Sequence, residues 1–261
     1  MEYFASIDQG TTSSRFIVFD QNGNVEDQHQ IEFNQYFPSE NCVEHDPEEI
    51  WDSVVKSINE VSNRFDIKKI KSLGITNQRE TTIAWSKSTG IPFYNAIVWQ
   101  DTRTQDICEE IIKDESIRND LSKTGLPVAT YFSLSKIIWL IRNVPHIKAS
   151  LNANDVIFGT VDTWLIYKLT GTFQTDVTNA SRTLMFDIEN LRWNENILNK
   201  YNIPIDSLAK VKPSLSEFGF SNNILKEIPI TAVMGDQQAS LFGQHCFTKG
   251  NVKNTYGTGC F

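Results

Sequence analysis

The chain opens on alternating apolar and polar positions. Residues 3–7, 15–19 and 25–33 each read as a strand, separated by the turn residues Asp8-Gln9-Gly10 and Asp20-Gln21-Asn22-Gly23-Asn24. Two successive hairpins predict an antiparallel meander. Asp46 then offers an N-cap oxygen, Pro47 suits the first helical position, and Glu48 and Glu49 face the positive end of the helix dipole. Ile50, Val54, Ile58 and Val61 follow at helical spacing, which predicts one buried helix face. Residues 70–76 form a short apolar run, so the first unit reads β-β-β-α-β. Downstream, residues 81–85, 96–99 and 184–186 read as strands, and 104–113, 134–142, 160–169 and 193–200 as helices. Near the end come a strand at 230–234, a sharp turn at Gly235-Asp236, a helix at 237–244 and a last strand at 251–255 entering Gly257-Thr258-Gly259. A strand entering such a turn needs a partner strand, so the sequence reads as the first part of a longer protein.

Several predicted element ends carry residues with chemistry. In Asp8-Gln9-Gly10-Thr11-Thr12-Ser13-Ser14-Arg15, an acid ends a strand and four hydroxyl residues precede an arginine. Such a turn can offer N–H and hydroxyl groups to phosphate, with Asp8 facing a hydrated Mg²⁺; taken alone, it also reads as a plain hairpin turn. Asn77-Gln78-Arg79-Glu80 follows a strand, at the end where α/β sheets bind ligands. Arg79 and Glu80 can donate to and accept from the hydroxyls of a neutral polyol, or form a loop ion pair of little consequence. Trp99 ends an apolar strand and can cover a small ligand or belong to the core, while Asp101 reads as a helix cap. Tyr131 is open to either reading. In Met234-Gly235-Asp236-Gln237, Asp236 is placed either as a general base toward an alcohol or as an N-cap. The Gly/Thr turn at 257–259 pairs with the one after Asp8 at the opposite end of the chain, which suggests a nucleotide pinched between two hairpins.

Composition narrows these choices. The 261 residues carry 24 Lys and Arg against 32 Asp and Glu, a net charge of −8, so nucleic acid and anionic membranes are not expected partners. Hydrophobic residues make up 40%, which fits an ordered globular protein. Cys42, Cys108, Cys246 and Cys260 form no C-x-x-C pair and read as free thiols, mostly in the core. No P-loop and no protein-kinase H-R-D or D-F-G motif occurs. Met1 to Asp8 has no basic n-region, and the longest apolar cluster, 137–141, is far too short for a bilayer, so a cytoplasmic location is expected.

Taken together, residues 8–15, 77–81, 99–103, 159–164, 178–183, 235–239 and 254–261 give the sequence a resemblance to the N-terminal half of the FGGY carbohydrate kinases, the family of gluconokinases, xylulokinases and glycerol kinases. The pairing of Asn77-Gln78-Arg79-Glu80-Thr81 with Gly235-Asp236-Gln237-Gln238 resembles the glycerol-phosphorylating members. The resemblance implies an α/β, ribonuclease-H-like (actin-like ATPase) fold with a mixed β-sheet flanked by helices. It implies that residues 1–261 are the N-terminal domain and that the ATP-side domain lies outside them. It implies ATP and Mg²⁺ as cofactors, glycerol as acceptor and a homo-oligomer of the full-length form. By the same resemblance, Arg79, Glu80, Tyr131, Asp236 and Gln237 bind the glycerol hydroxyls, and Trp99 and Phe261 lie against its carbons. Asp236 is also the catalytic base. Thr11, Thr12, Ser13, Arg15 and Thr258 contact the nucleotide phosphates, and Asp8 orients Mg²⁺ through water. Asp101, Arg103 and Cys260 keep a structural reading. The alternatives are a kinase of another polyol or sugar, or a non-catalytic actin-like nucleotide-binding module.

Overall fold

Strict alternation builds the first two strands. In β1 (Tyr3–Gln9) and β2 (Ser13–Asp20) every second side chain is buried, among them Ile7, Phe16 and Val18. The computed structural model describes residues 2–221, 224–225, 227–257 and 259–261. β1 and β2 pair antiparallel with Ile7 opposite Phe16, and β2 continues antiparallel into β3 (Val25–Glu32). This is the meander that the turns predict.

The helix α1 (Pro47–Ser62) starts where the capping signals place it, with the Asp46 carboxylate accepting from Glu48 N–H at 2.8 Å. Ile50, Val54, Ile58 and Val61 are fully buried. The next strand, β4 (Ile70–Asn77), joins β1 in parallel, and a strand from far along the chain, β5 (Ile230–Gly235), joins β4 in parallel. The sheet therefore has five strands in the order β5-β4-β1-β2-β3, mixed and flanked by helices.

Two hydrophobic clusters hold the chain. One lies between the sheet, α1 and α3 (Val161–Thr170), where Trp164 packs edge-on against Trp85 and donates to the Pro47 carbonyl at 2.9 Å. The other gathers Ile107, Leu121, α2 (Ser133–Asn143), Phe158, Leu184 and Ile197, from the long stretch between β4 and β5.

Some expectations change. The run 193–200 is divided: Arg192–Trp193 pairs with Phe186–Asp187, and the helix starts at Glu195, because the Asn194 side chain accepts from Asn196 N–H and Ile197 N–H. The helix Pro145–Asn152 is additional, entered by a proline at its first turn. No strand forms at 251–255; instead Thr255 and Phe261 exchange both backbone hydrogen bonds, at 2.8 and 3.0 Å, and close a tight loop. All four cysteines are free, but only Cys108 is buried, so the expected core placement fails for the other three. Among the described residues no helix is long and apolar enough to cross a membrane.

Candidate active site

The three parallel strands end at one level. Gln9 and Gly235 both pair with Asn77, so the residues that follow each strand emerge side by side. Side chains lock these ends together. Gln78 N–H donates to the Gln9 carbonyl at 2.7 Å and its amide to the Gly10 carbonyl at 3.1 Å. Asn77 and Asn179 exchange amide hydrogen bonds at 2.9 and 3.1 Å. Asp176 holds both Thr178 and Asn179, and the Thr178 hydroxyl accepts from Gly235 N–H at 2.9 Å.

Beyond these ends lies a cleft of about 450 Å³. Asp8, Thr11, Thr12, Ser13, Arg15, Arg79, Glu80, Trp99, Tyr131, Asp236, Gln237 and Phe261 all line it. Every candidate site residue is thus brought to one place, save Thr258, which lies outside the described residues.

One wall is charged. Glu80 is buried in the left-handed backbone region, with φ of 62°, a conformation that costs a non-glycine residue energy and recurs at functional sites. Hydroxyls of Thr82, at 2.9 Å, and Ser133, at 3.3 Å, donate to its carbonyl and hold it there. Arg182 Nε donates to Glu80 Oε1 at 2.5 Å. Burial pushes the Glu80 carboxyl up from its ordinary value, against the opposing pull of Arg79 and Arg182. Arg79 is buried too. Its Nε is buried and pairs with carboxylates on both sides, 3.1 Å from Asp236 Oδ1 and 3.9 Å from Glu80 Oε1. A terminal nitrogen of Arg79 donates to Gln238 Oε1 at 3.1 Å.

Asp236 is the first residue of α4 (Asp236–Gly243), and the cap position falls on Gly235. The capping role weighed for Asp236 is therefore not the one it has. Its Oδ1 accepts from Gln237 N–H at 2.6 Å while the side chain remains 36% exposed to the cleft. Three aromatic rings also line the cleft, with Trp99 edge-on to both Tyr131, at 5.6 Å, and Phe261, at 6.0 Å. Burial raises the Tyr131 phenol, and the neighbouring Glu80 charge adds to this.

The hydroxyl-rich turn forms the far end. The Arg15 guanidinium grips Gln30 Oε1 at 2.8 and 3.1 Å, and the Gln30 amide donates to Ser13 Oγ at 2.9 Å. Trp99 Nε1 donates to Thr11 Oγ1 at 3.1 Å. Burial raises the Asp8 carboxyl, Arg15 opposes this and the Asp236 charge adds to it. Among the described residues no cluster of three or more His, Cys, Asp or Glu could cage a metal. The Asp8 carboxylate, beside the hydroxyl-rich turn, is the kind of oxygen donor that fits Mg²⁺ keeping most of its waters.

Sequence reasoning missed two residues that shape this site. Arg182 clamps Glu80 and packs over Tyr131 and Phe132, at 5.5 and 5.0 Å from the ring centres. Lys136 is fully buried and donates to the Thr130 and Tyr131 carbonyls at 2.8 and 2.7 Å, fixing the Tyr131 backbone; burial lowers it to about 8. The segment 178–183 was among those carrying the resemblance, but nothing in it points to Glu80. Asp101 and Arg103 are structural: Asp101 accepts from Val43 N–H at 2.7 Å, and Arg103 bridges Asp101 and Glu44. Cys260 is exposed in the closing loop.

The strand ends of this mixed sheet thus present a charged pair, a carboxylate and a hydroxyl-rich turn to one cleft. Residues 3–243 match the FGGY family of carbohydrate kinases, N-terminal domain, and the chain belongs to that family. The chain is 49% identical over 267 aligned residues to a glycerol kinase of Limosilactobacillus reuteri, and 48% identical over 270 to one of Malacoplasma penetrans; each alignment covers 100% of this chain and 53% of the relative. The crystal structure of Plasmodium falciparum glycerol kinase with ADP superposes with a TM-score of 0.93 at 40% identity, over 100% of this chain and 53% of that one. A xylulose kinase from Rhodospirillum rubrum, TM-score 0.90 at 18% identity over 98% of this chain and 53% of its own, shares the fold. The fold is thus the α/β, actin-like one that the resemblance implies. The chain spans about half the length of the curated relatives it matches.

Proposed function

We propose that the chain is the N-terminal, glycerol-binding half of a glycerol kinase. The full-length enzyme transfers the terminal phosphoryl group of Mg·ATP to glycerol, giving sn-glycerol 3-phosphate and ADP. The adenine side belongs to a domain outside residues 1–261, and the enzyme works as a homo-oligomer in the cytoplasm. One observation carries the reading: the charged groups of Arg79, Glu80 and Asp236 line one cleft together with the rings of Trp99, Tyr131 and Phe261. A polyol has hydroxyls for the first set and a carbon chain for the second.

In this reading the Arg79 guanidinium, which lines the cleft, donates to a glycerol hydroxyl, while Glu80 accepts from another. Asp236 takes the proton of the attacking hydroxyl as the new P–O bond forms. Asp8 would hold Mg²⁺ through water, and the ion would neutralise phosphate charge. Thr11, Thr12, Ser13, Arg15 and Thr258 position the phosphates for in-line attack. Closure over the cleft excludes water and limits ATP hydrolysis.

The test is ADP release by the full-length protein with glycerol, xylulose and gluconate. Glycerol is expected to lead by about a hundredfold or more in kcat/KM, because buried polar groups left unpaired penalise a poorly fitting acceptor. A sugar substrate equal to glycerol would overturn the reading. The 261-residue chain alone should gain melting temperature from glycerol yet show almost no turnover.

Gly235 gives a second, local check. A Cβ there would sit 2.6 Å from Arg79 Cδ and 2.8 Å from Cγ, whereas its backbone φ of −57° suits any residue. Gly235→Ala should therefore displace the Arg79 stem and raise the glycerol KM about tenfold, as for one lost charge-assisted hydrogen bond. A normal KM would show that Arg79 need not stand where it does.

A further inference from the structure

We propose that Lys253 is a positioning residue that fixes the side-chain amide of Gln237 and ties it to the loop closing the cleft. This deepens the glycerol kinase reading and rests on it. Lys253 lies in a stretch without regular structure, behind the residues that line the cleft, and no motif drew attention to it. Its ammonium donates to Gln237 Oε1 and, at 2.7 Å, to Thr255 Oγ1.

An ammonium has only donors to offer, so the Gln237 atom facing it is the carbonyl oxygen. The amide nitrogen is thereby turned the other way, where it lies 3.4 Å from Asp236 Oδ2. A glutamine amide free to rotate could exchange its donor and acceptor faces. With Lys253 in place, only the donor face is presented beside the base. An incoming hydroxyl therefore meets an N–H from Gln237 and an acceptor from Asp236, a pairing that suits an alcohol about to give up its proton.

The second contact extends the effect. Thr255 exchanges backbone hydrogen bonds with Phe261, and the loop they close brings Gly257, Gly259 and the Phe261 ring to the cleft. One cation thus links α4, which carries Asp236 and Gln237, to the loop whose Gly257, Gly259 and Phe261 line the cleft. Burial lowers the Lys253 ammonium, and the Asp236 charge pulls against that.

A double-mutant cycle in the full-length enzyme separates this role from a merely structural one. Lys253→Met should raise the glycerol KM about tenfold, as expected when a charge-assisted anchor is lost, with kcat changed less than about threefold and an unchanged melting temperature. Gln237→Ala should raise the glycerol KM by itself, and the double variant should be no worse than Gln237→Ala. An unchanged KM in Lys253→Met overturns the proposal. So do multiplicative effects in the double variant, or a fall in kcat that tracks a fall in melting temperature. Wild-type turnover of glycerol reads the parent assignment separately; should another polyol prove to be the substrate, the same cycle is read on that polyol.

Discussion

Asp236→Asn in the full-length enzyme should lose most turnover while still binding glycerol. The two side chains are nearly isosteric, and an asparagine oxygen can still accept from Gln237 N–H, as Asp236 does at 2.6 Å. What disappears is the ability to take a proton. General-base catalysis contributes roughly 10²–10⁴-fold, so kcat should fall by about that factor while the glycerol KM moves only a few-fold. Among the described residues the other carboxylates of the cleft are held elsewhere: Glu80 is buried and gripped by Arg182, and Asp8 stands beside the hydroxyl-rich turn. Stopped-flow or steady-state turnover at saturating glycerol decides the matter, and a near-normal kcat would reduce Asp236 to a binding contact.

Arg79→Ala should show the opposite signature. Arg79 is only 8% exposed and reaches toward Glu80, Asp236 and Gln238 at once. Its contacts to a hydroxyl exist in both ground and transition states, so their loss falls mainly on KM. The expected rise in the glycerol KM is at least tenfold, from charge-assisted bonds worth about 1.5–3 kcal/mol, with the ATP KM little changed. The change also leaves Glu80 with Arg182 as its remaining guanidinium. A surface loop charge would cost within about 0.5 kcal/mol. Titration with glycerol at saturating ATP distinguishes the two, and an unchanged KM would remove Arg79 from the site.

The parts of this architecture that were legible are those whose cause is local. Asp46 and Pro47 start α1 through contacts within a few residues, and the alternation of β1 and β2 matches their burial. The same alternation misleads at 251–255. Thr255 there finds a backbone partner in Phe261, but Val252 is 87% exposed, so the stretch buries no apolar side chain that would hold a strand in place. The candidate site residues were identifiable by type and by resemblance, and they converge. Their supports were not identifiable. Arg182 meets Glu80 across a sequence separation of 102, and Lys253 meets Gln237 across one of 16, beyond the end of α4. The left-handed backbone of Glu80 carries no glycine signal; a local bond from Thr82 and a distant one from Ser133 hold it.

Adjacency of β4 and β5 has a consequence for how the molecule is assembled. Nearly the whole second hydrophobic cluster lies between these neighbouring strands in sequence. Arg79 and Glu80 stand where that insertion leaves the sheet; it returns at Ile230, and Gly235 and Asp236 come one strand length later, at the far end of β5. The meander, α1 and β4 can associate early through short-range pairings, whereas β5 can dock only after a long loop has closed. The two halves of the charged wall should therefore meet as a late folding event. A cavity cut deep in the inserted lobe, at Ile137 or Leu198, would then present as weakened polyol affinity, and added polyol would restore the population by mass action.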